Sequence, residues 1–199
     1  TRLASPSAML RVLVIDEARA RAAELCAGLA LAGHQVAAVL PSALDLAERV
    51  ESIRPDVVLI ETDSPSRDTL EHLAAINREL PRPVVLLTHE RDAEVMREAF
   101  RAGVSAYVVD DLDLARLKPI VDVAVARFEE HQRLKTELAA ATRKLSERKL
   151  IEQAKGLLMK TRGLDEAAAH AALRKLAMDR AQPLGKVAAD LVDMAKVLL

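Results

Sequence analysis

Six cations toward the C-terminus, Lys155, Lys160, Arg174, Lys175, Arg180 and Lys186, are the side chains best suited to ligand chemistry. Phosphate oxygens need cationic partners, and unstacked bases accept hydrogen bonds and stacking from guanidinium planes. Twelve of the 29 Lys and Arg, but only seven of the 30 Asp and Glu, lie from Arg143 onward, so a net charge of −1 conceals an acidic part and a basic part. The basic part suits a phosphate backbone. For any one of the six, a solvated helix face is an equal alternative. Aromatic residues are 2% of the chain and none follows Phe128, which excludes the base-stacking platforms of single-strand binders. The acidic part offers a second chemistry. Asp16 and Glu17 directly follow the apolar run 12–15, and such carboxylates supply the oxygen ligands a hard cation prefers. The rest of the inventory is negative. The five histidines (His34, His72, His89, His131, His170) lack ligand spacing, and the lone Cys26, between Leu25 and Leu29, reads as a buried structural thiol. With no nucleophile and base pair, metal motif or phosphate loop, an enzyme is the weakest class.

These side chains need elements to hold them. Apolar runs at 12–15, 36–39, 57–60, 84–87 and 107–109 alternate with segments whose apolar residues recur three or four apart, such as Leu44, Ala47, Val50 and Ile53. Gly33, Pro55, Pro81, Pro83 and Gly103 punctuate the joints. Strands apolar throughout predict a five-stranded parallel sheet covered on both faces, hence a doubly wound α/β domain with its site at the carboxyl ends of the strands. From Leu114 to Thr161 the only breakers are Pro119, near the start, and Gly156, which predicts one long helix. Leu134, Leu138, Ala141 and Leu145 form a heptad seam, extended less cleanly backward through His131, Arg127 and Ala124. Glu129, Glu130, Lys135, Glu137, Arg143 and Lys144 polarise its other faces, favouring a dimeric coiled coil over a helix packed on its own domain. Breaks at Arg162-Gly163 and Gln182-Pro183 divide the tail into three short helices. Gly163 suits a left-handed cap, Asp165 and Glu166 suit a first turn, and Ala154, Gly156 and Ala177 suit close packing. Leu184, Val187, Ala188, Leu191, Ala195 and Leu198 give the last helix one apolar stripe. The expected parts are 10–127, 128–146 and 147–199. No apolar run reaches the ~18 residues of a membrane span and no leader pattern opens the chain, so a cytoplasmic location is expected.

The tail carries an ordered set of motifs: Glu147-Arg148-Lys149, then Ala154-Lys155-Gly156 before Leu157-Leu158-Met159, then Leu173-Arg174 and Ala177-Met178, then Leu184 and Val187-Ala188. In this it resembles the ANTAR module, a three-helix RNA-binding domain of bacterial antiterminators. Residues 10–127 resemble the receiver domain of response regulators. Ile15-Asp16-Glu17 matches that family's acidic pair, which helps hold Mg2+. Thr88 matches the hydroxyl that senses a phosphoryl group, and Tyr107 the switch aromatic. Two departures follow from the alignment. Glu61 stands where the family has its phosphoacceptor aspartate, and Asp110 stands where it has a lysine. The nucleophile is a methylene longer and the cation has become an anion, which would repel a phosphoryl group. Glu61 therefore reads as a relic, a built-in phosphoryl mimic or a weak acceptor, with the missing lysine favouring the relic. Asp63 is a displaced acceptor or, more simply, a solvated aspartate. The crowd of Asp16, Glu17, Glu61 and Asp110 could still retain a divalent cation, with Asp16, Glu17 and Glu61 as ligands, or hold some carboxyls protonated.

A degenerate receiver, a coiled coil and an ANTAR tail together resemble the AmiR and NasT group of antiterminators. Residues 64–68, 102–107 and 123–129 are nearest the nitrate-assimilation branch. The resemblance implies a homodimer that binds paired stem-loops of a leader transcript, so that a terminator hairpin does not form. It also implies a ligand-sensing partner of the nitrate-sensor type in place of phosphorylation. A DNA-binding helix-turn-helix regulator and a protein-interaction module without nucleic acid are the competing classes.

Overall fold

The computed structural model describes residues 9–16, 19–109 and 113–198, and the chain divides into two units that meet between Gln132 and Arg133. The first unit runs β1 (Arg11–Asp16), α1 (Arg19–Leu31), β2 (Gln35–Leu40), α2 (Leu46–Ile53), β3 (Val57–Thr62), α3 (Arg67–Glu79), β4 (Val84–Thr88), α4 (Ala93–Ala102) and β5 (Ala106–Val109). A 3-10 turn at Leu114–Arg116 then leads into α5 (Leu117–Arg162), which continues into the second unit with α6 (Glu166–Asp179) and α7 (Leu184–Leu198). The five strands are parallel in the order β2-β1-β3-β4-β5, the doubly wound arrangement expected from the apolar runs.

Side chains alternate across a strand, so each run feeds two cores. Leu13, Ile15, Val58, Ile60 and Leu86 pack with Leu46 and Val50 of α2, Leu73 and Ile76 of α3 and Ala99 of α4. Val12, Val14, Val57, Leu59, Val85 and Leu87 pack on the other face with Leu25 and Leu29 of α1 and Leu117, Val121 and Ala124 of α5. Each fully buried Leu, Ile or Val contributes roughly 1.5–3 kcal/mol relative to exposure. The joints are closed by local chemistry. Ser66 accepts a hydrogen bond from the Thr69 amide at the start of α3, and Asp92 accepts one from the Glu94 amide at the start of α4. Gly103 ends α4 at φ 105°, where a Cβ would also strike the Asn77 side chain.

The long helix is present, but its seam is shorter than the heptad spacing predicts. Ala124 is fully buried in the sheet core, and the Arg127 guanidinium lies over the Phe100 ring, 5.9 Å from its centroid. Both belong to the first unit. From there on the stripe is bare within one chain: Leu134, Leu138 and Leu145 are 51%, 69% and 71% exposed, and Ala141 is exposed too.

In the second unit Ala154 of α5, Leu173 and Ala177 of α6, and Val187, Ala188 and Val192 of α7 form a separate core. Gly163 takes φ 63° between α5 and α6, and the Asp165 carboxylate accepts from the Ala168 amide to start α6. Gly185 is the close-packed glycine of this bundle, since a Cβ there would collide with the Glu147 side chain. Gly156, expected in that role, is exposed, and a Cβ on it would meet nothing within 4 Å. Cys26 is half-buried rather than enclosed, and burial pushes its thiol pKa up, with the Asp16 charge adding.

Candidate functional site

The carboxyl ends of β1, β3 and β4 bring part of the predicted pocket together. Asp16 is 3% exposed and pairs in register with Glu61 on the neighbouring strand, while Thr62 pairs with Thr88. Two carboxylates side by side need a counter-charge, and α1 supplies it through Arg21. The Arg21 Nη1 donates to Glu61 Oε1 at 2.9 Å, and its Nη2 is 3.5 Å from Asp63 Oδ1. The hydrogen bond to Glu61, then its charge, raises the guanidinium pKa further, with Asp63 and Asp16 contributing. Glu17 and Asp110 lie outside the described residues. Among the described residues no group of three or more His, Cys, Asp or Glu is placed to hold a metal ion.

The predicted switch residues are wired to this pocket by polar contacts. The Thr88 hydroxyl donates to the Asp63 carbonyl at 2.8 Å and accepts from the Glu90 amide at 3.1 Å. The Tyr107 hydroxyl donates to the Glu90 carbonyl at 3.0 Å. The Glu90 carboxylate accepts from the Ser64 hydroxyl at 3.0 Å and from the Asp92 amide at 2.9 Å. The Asp92 amide, then the Ser64 hydroxyl, hold the Glu90 carboxyl below the usual range. Burial, then the Glu90 charge, pushes the Tyr107 phenol up. Asp63 is largely solvated, with its side chain 83% exposed, yet it also lies 3.4 Å from His89 Nδ1. Sequence reasoning missed Arg21, Ser64 and Glu90. A cation five residues after Asp16 was a visible signal for Arg21; nothing in the pattern singles out Glu90.

The six tail cations divide into three kinds. Lys155 is 7% exposed, with Nζ 2.7 Å from Glu166 Oε1 and 2.9 Å from Glu152 Oε2. Glu166, then Glu152, raise its pKa, and Lys155 in turn lowers that of Glu166. Its charge is taken up in joining α5 to the first turn of α6. Lys186 is exposed but sits 3.1 Å from Asp190, one turn along α7. Lys160, Arg174, Lys175 and Arg180 are exposed and hold no ion pair among the described residues. Arg174 and Lys175 are adjacent on α6, whose Ala167, Ala168 and Ala171 are also exposed, so the cations stand on a shallow surface. Arg148 and Lys149 are exposed on α5 as well.

Comparison with known proteins assigns a family to each unit. Residues 12–122 match the response regulator receiver domain, and residues 139–192 match the ANTAR domain. Over 178 residues the chain is 30% identical to the transcriptional regulatory protein PdtaR of Mycobacterium tuberculosis, a match covering 89% of this chain and 87% of that protein. Over 79 residues it is 39% identical to the nitrate regulatory protein of Klebsiella oxytoca, covering 40% of this chain and 20% of that protein. The signal receiver domain of a modulated diguanylate cyclase from Desulfovibrio desulfuricans superposes with a TM-score of 0.55 at 21% identity, covering 62% of this chain and 99% of that domain. That superposition shows the shared fold. Among the described residues no helix is long and apolar enough to cross a membrane.

Proposed function

Because the chain belongs to the response regulators that join a receiver domain to an ANTAR domain, we propose that it is an RNA-binding transcription antiterminator acting on stem-loops of a leader transcript. The observation that carries this reading is the exposed pair Arg174 and Lys175 on α6, without acidic partners among the described residues in a bundle that pairs Lys155, Lys186 and Lys196. Exposed cations with no partner among the described residues are available to phosphates and base edges. Lys160 and Arg180 extend the same set, and Lys186 can exchange Asp190 for a phosphate. Lys155 acts indirectly, by closing α5 onto α6.

The bare stripe of Leu134, Leu138, Ala141 and Leu145 supports a homodimer through α5, which would place two basic tails on paired stem-loops. The receiver unit is regulated by a ligand-sensing partner protein rather than by phosphorylation, a reading supported by Glu61 at the acceptor position and by its pairing with Arg21. The likeness to the nitrate regulatory protein supports nitrate as the signal, and the same proposal includes nitrite and a cytoplasmic place of action.

The test is competition. A labelled hairpin RNA should bind with an affinity that falls as salt rises and should resist displacement by duplex DNA. Preferential displacement by duplex DNA would favour a DNA-binding regulator, and no binding to either would favour an interaction module. For the receiver unit, incubation with acetyl phosphate and Mg2+ should leave the protein mass unchanged. A phosphoryl adduct would overturn the regulatory part of the reading and leave the RNA part intact.

A further inference from the structure

We infer that Arg21 is the resident cation of the carboxylate pocket, and that through Asp63 and Glu90 it holds Tyr107 in one position without a metal ion or a phosphoryl group. The inference rests on the reading above that the receiver unit is regulated without phosphorylation.

The charges come first. Asp16 is almost fully buried and its strand neighbour Glu61 is 15% exposed at the side chain, so two carboxylates share one end of the sheet. Like charges that close are costly in a poorly hydrated setting, and a nearby cation relieves them. A divalent ion would need the oxygens of these groups as ligands. Here Glu61 Oε1 already accepts the guanidinium at 2.9 Å, and the other arm of the fork lies 3.5 Å from Asp63. A guanidinium carries donors only and does not lose its proton in the working pH range. Glu61 is therefore countered by a group bonded to the chain, whatever the metal concentration.

The second step is geometric. Arg21 reaches Asp63 on the loop after β3, and the Asp63 carbonyl accepts both the Thr88 hydroxyl at 2.8 Å and the His89 amide at 3.3 Å. Thr88 in turn receives the Glu90 amide, and the Glu90 carbonyl receives the Tyr107 hydroxyl. The Glu90 carboxylate closes the circuit, joining Ser64 on the β3 side to the Asp92 amide that begins α4. Each group in this series is a donor or acceptor already satisfied by the next. Moving Tyr107 or the start of α4 must break the series somewhere, and Arg21 fixes its far end. A partner protein that dislodges Arg21 would release the α4 and β5 surface without any covalent chemistry.

Tyr107 is the only tyrosine of a chain with no tryptophan, so ultraviolet emission of this chain reports on this one position. The experiment compares the wild type with Arg21→Ala and Arg21→Lys, reading quenching of that emission by acrylamide and its response to added MgCl2. The wild type should show no saturable response to millimolar Mg2+. Arg21→Ala should show a higher quenching constant and a saturable Mg2+ response as the vacated carboxylates take up the ion. Arg21→Lys, which keeps the charge and loses the fork, should fall between them. Circular dichroism checks folding, and if the alanine variant unfolds, the lysine variant decides alone. A saturable Mg2+ response in the wild type would overturn the inference, as would variants matching the wild type in both readings. Phosphoryl transfer is read by mass and cation occupancy by emission, so either idea can fail without the other.

Discussion

The two units treat charge in opposite ways. In the first, the notable cation is paired: Arg21 is held by Glu61 and Asp63, and the polar groups beyond it at Thr88, Glu90 and Tyr107 are bonded to one another. In the second, Arg174, Lys175, Lys160 and Arg180 face outward with no acidic partner among the described residues. A carboxylate already paired with a guanidinium, as Glu61 is, has less left with which to bind a cation. A surface whose charges are unpaired has retained its capacity for phosphates. Lys155 is the exception that sharpens the contrast. It sits in the basic unit but, like Arg21, is held between two carboxylates, and unlike Arg21 it is buried.

The largest effect should come from erasing the outward charges. Arg174→Glu with Lys175→Glu should cost ~2–6 kcal/mol of hairpin affinity, taking ~1–3 kcal/mol for each contact, and should flatten the dependence on salt. Filter binding across a salt series measures both. Lys155→Met should instead lower the melting temperature of the bundle and leave the salt slope unchanged. A salt slope that drops for Lys155→Met and not for the double reversal would invert the assignment of roles.

The cores break the comparison by stability. Leu13 and Leu173 are each fully buried, and truncating either to Ala should cost about 2–5 kcal/mol. The first unit has two cores, one on each face of the sheet, while the second has one small core of mostly Ala and Val. Leu173→Ala should therefore unfold the tail in calorimetry while the receiver transition stays in place. Leu13→Ala should lower only the receiver transition. A single shared transition in both variants would show that the units do not fold separately.

The proposed dimer seam is next in size. Leu138→Asp replaces an apolar side chain worth roughly 1.5–3 kcal/mol on burial with a charge, in both copies of the helix. Light scattering should report a monomer, and hairpin affinity should fall through loss of the second tail. A dimer that survives this change would move the interface to the receiver unit.

What the sequence disclosed follows from how local the signals are. The sheet was legible because β-branched apolar runs bounded by Gly and Pro leave few alternatives, and α5 was legible because nothing in it breaks a helix. The seam was overextended backward because heptad spacing does not say which partner a face meets, and Ala124 meets the sheet. Lys155 looked like a contact residue because its partner Glu166 lies eleven residues on, across the left-handed turn at Gly163, and no helical periodicity pairs them. Arg21 of α1 is hidden for the same reason, since its partner Glu61 lies forty residues away on β3. Gly156 and Gly185 show the limit of composition. Both are glycines in helices, and only the packing of Glu147 tells which one needs to be small.

The smallest effect concerns acid. His34 is 6% exposed, neither ring nitrogen has a hydrogen-bond partner among the described residues, and burial, then the Lys118 charge, lowers its pKa, with Asp122 opposing. The folded protein therefore holds this ring neutral, while the unfolded chain takes up a proton near pH ~6.5. Above that pH both states are neutral and His34 contributes no slope. As the pH falls below it, the unfolded state binds a proton that the folded state refuses, so stability drops until the lowered folded pKa is passed. The receiver transition should shift down in this window. His34→Leu, which keeps the apolar bulk and removes the proton site, should flatten the receiver profile. If the variant keeps the wild-type slope, the acid sensitivity of the first unit belongs to its carboxylates, and the contrast between the units rests on Arg21 and Glu61 alone.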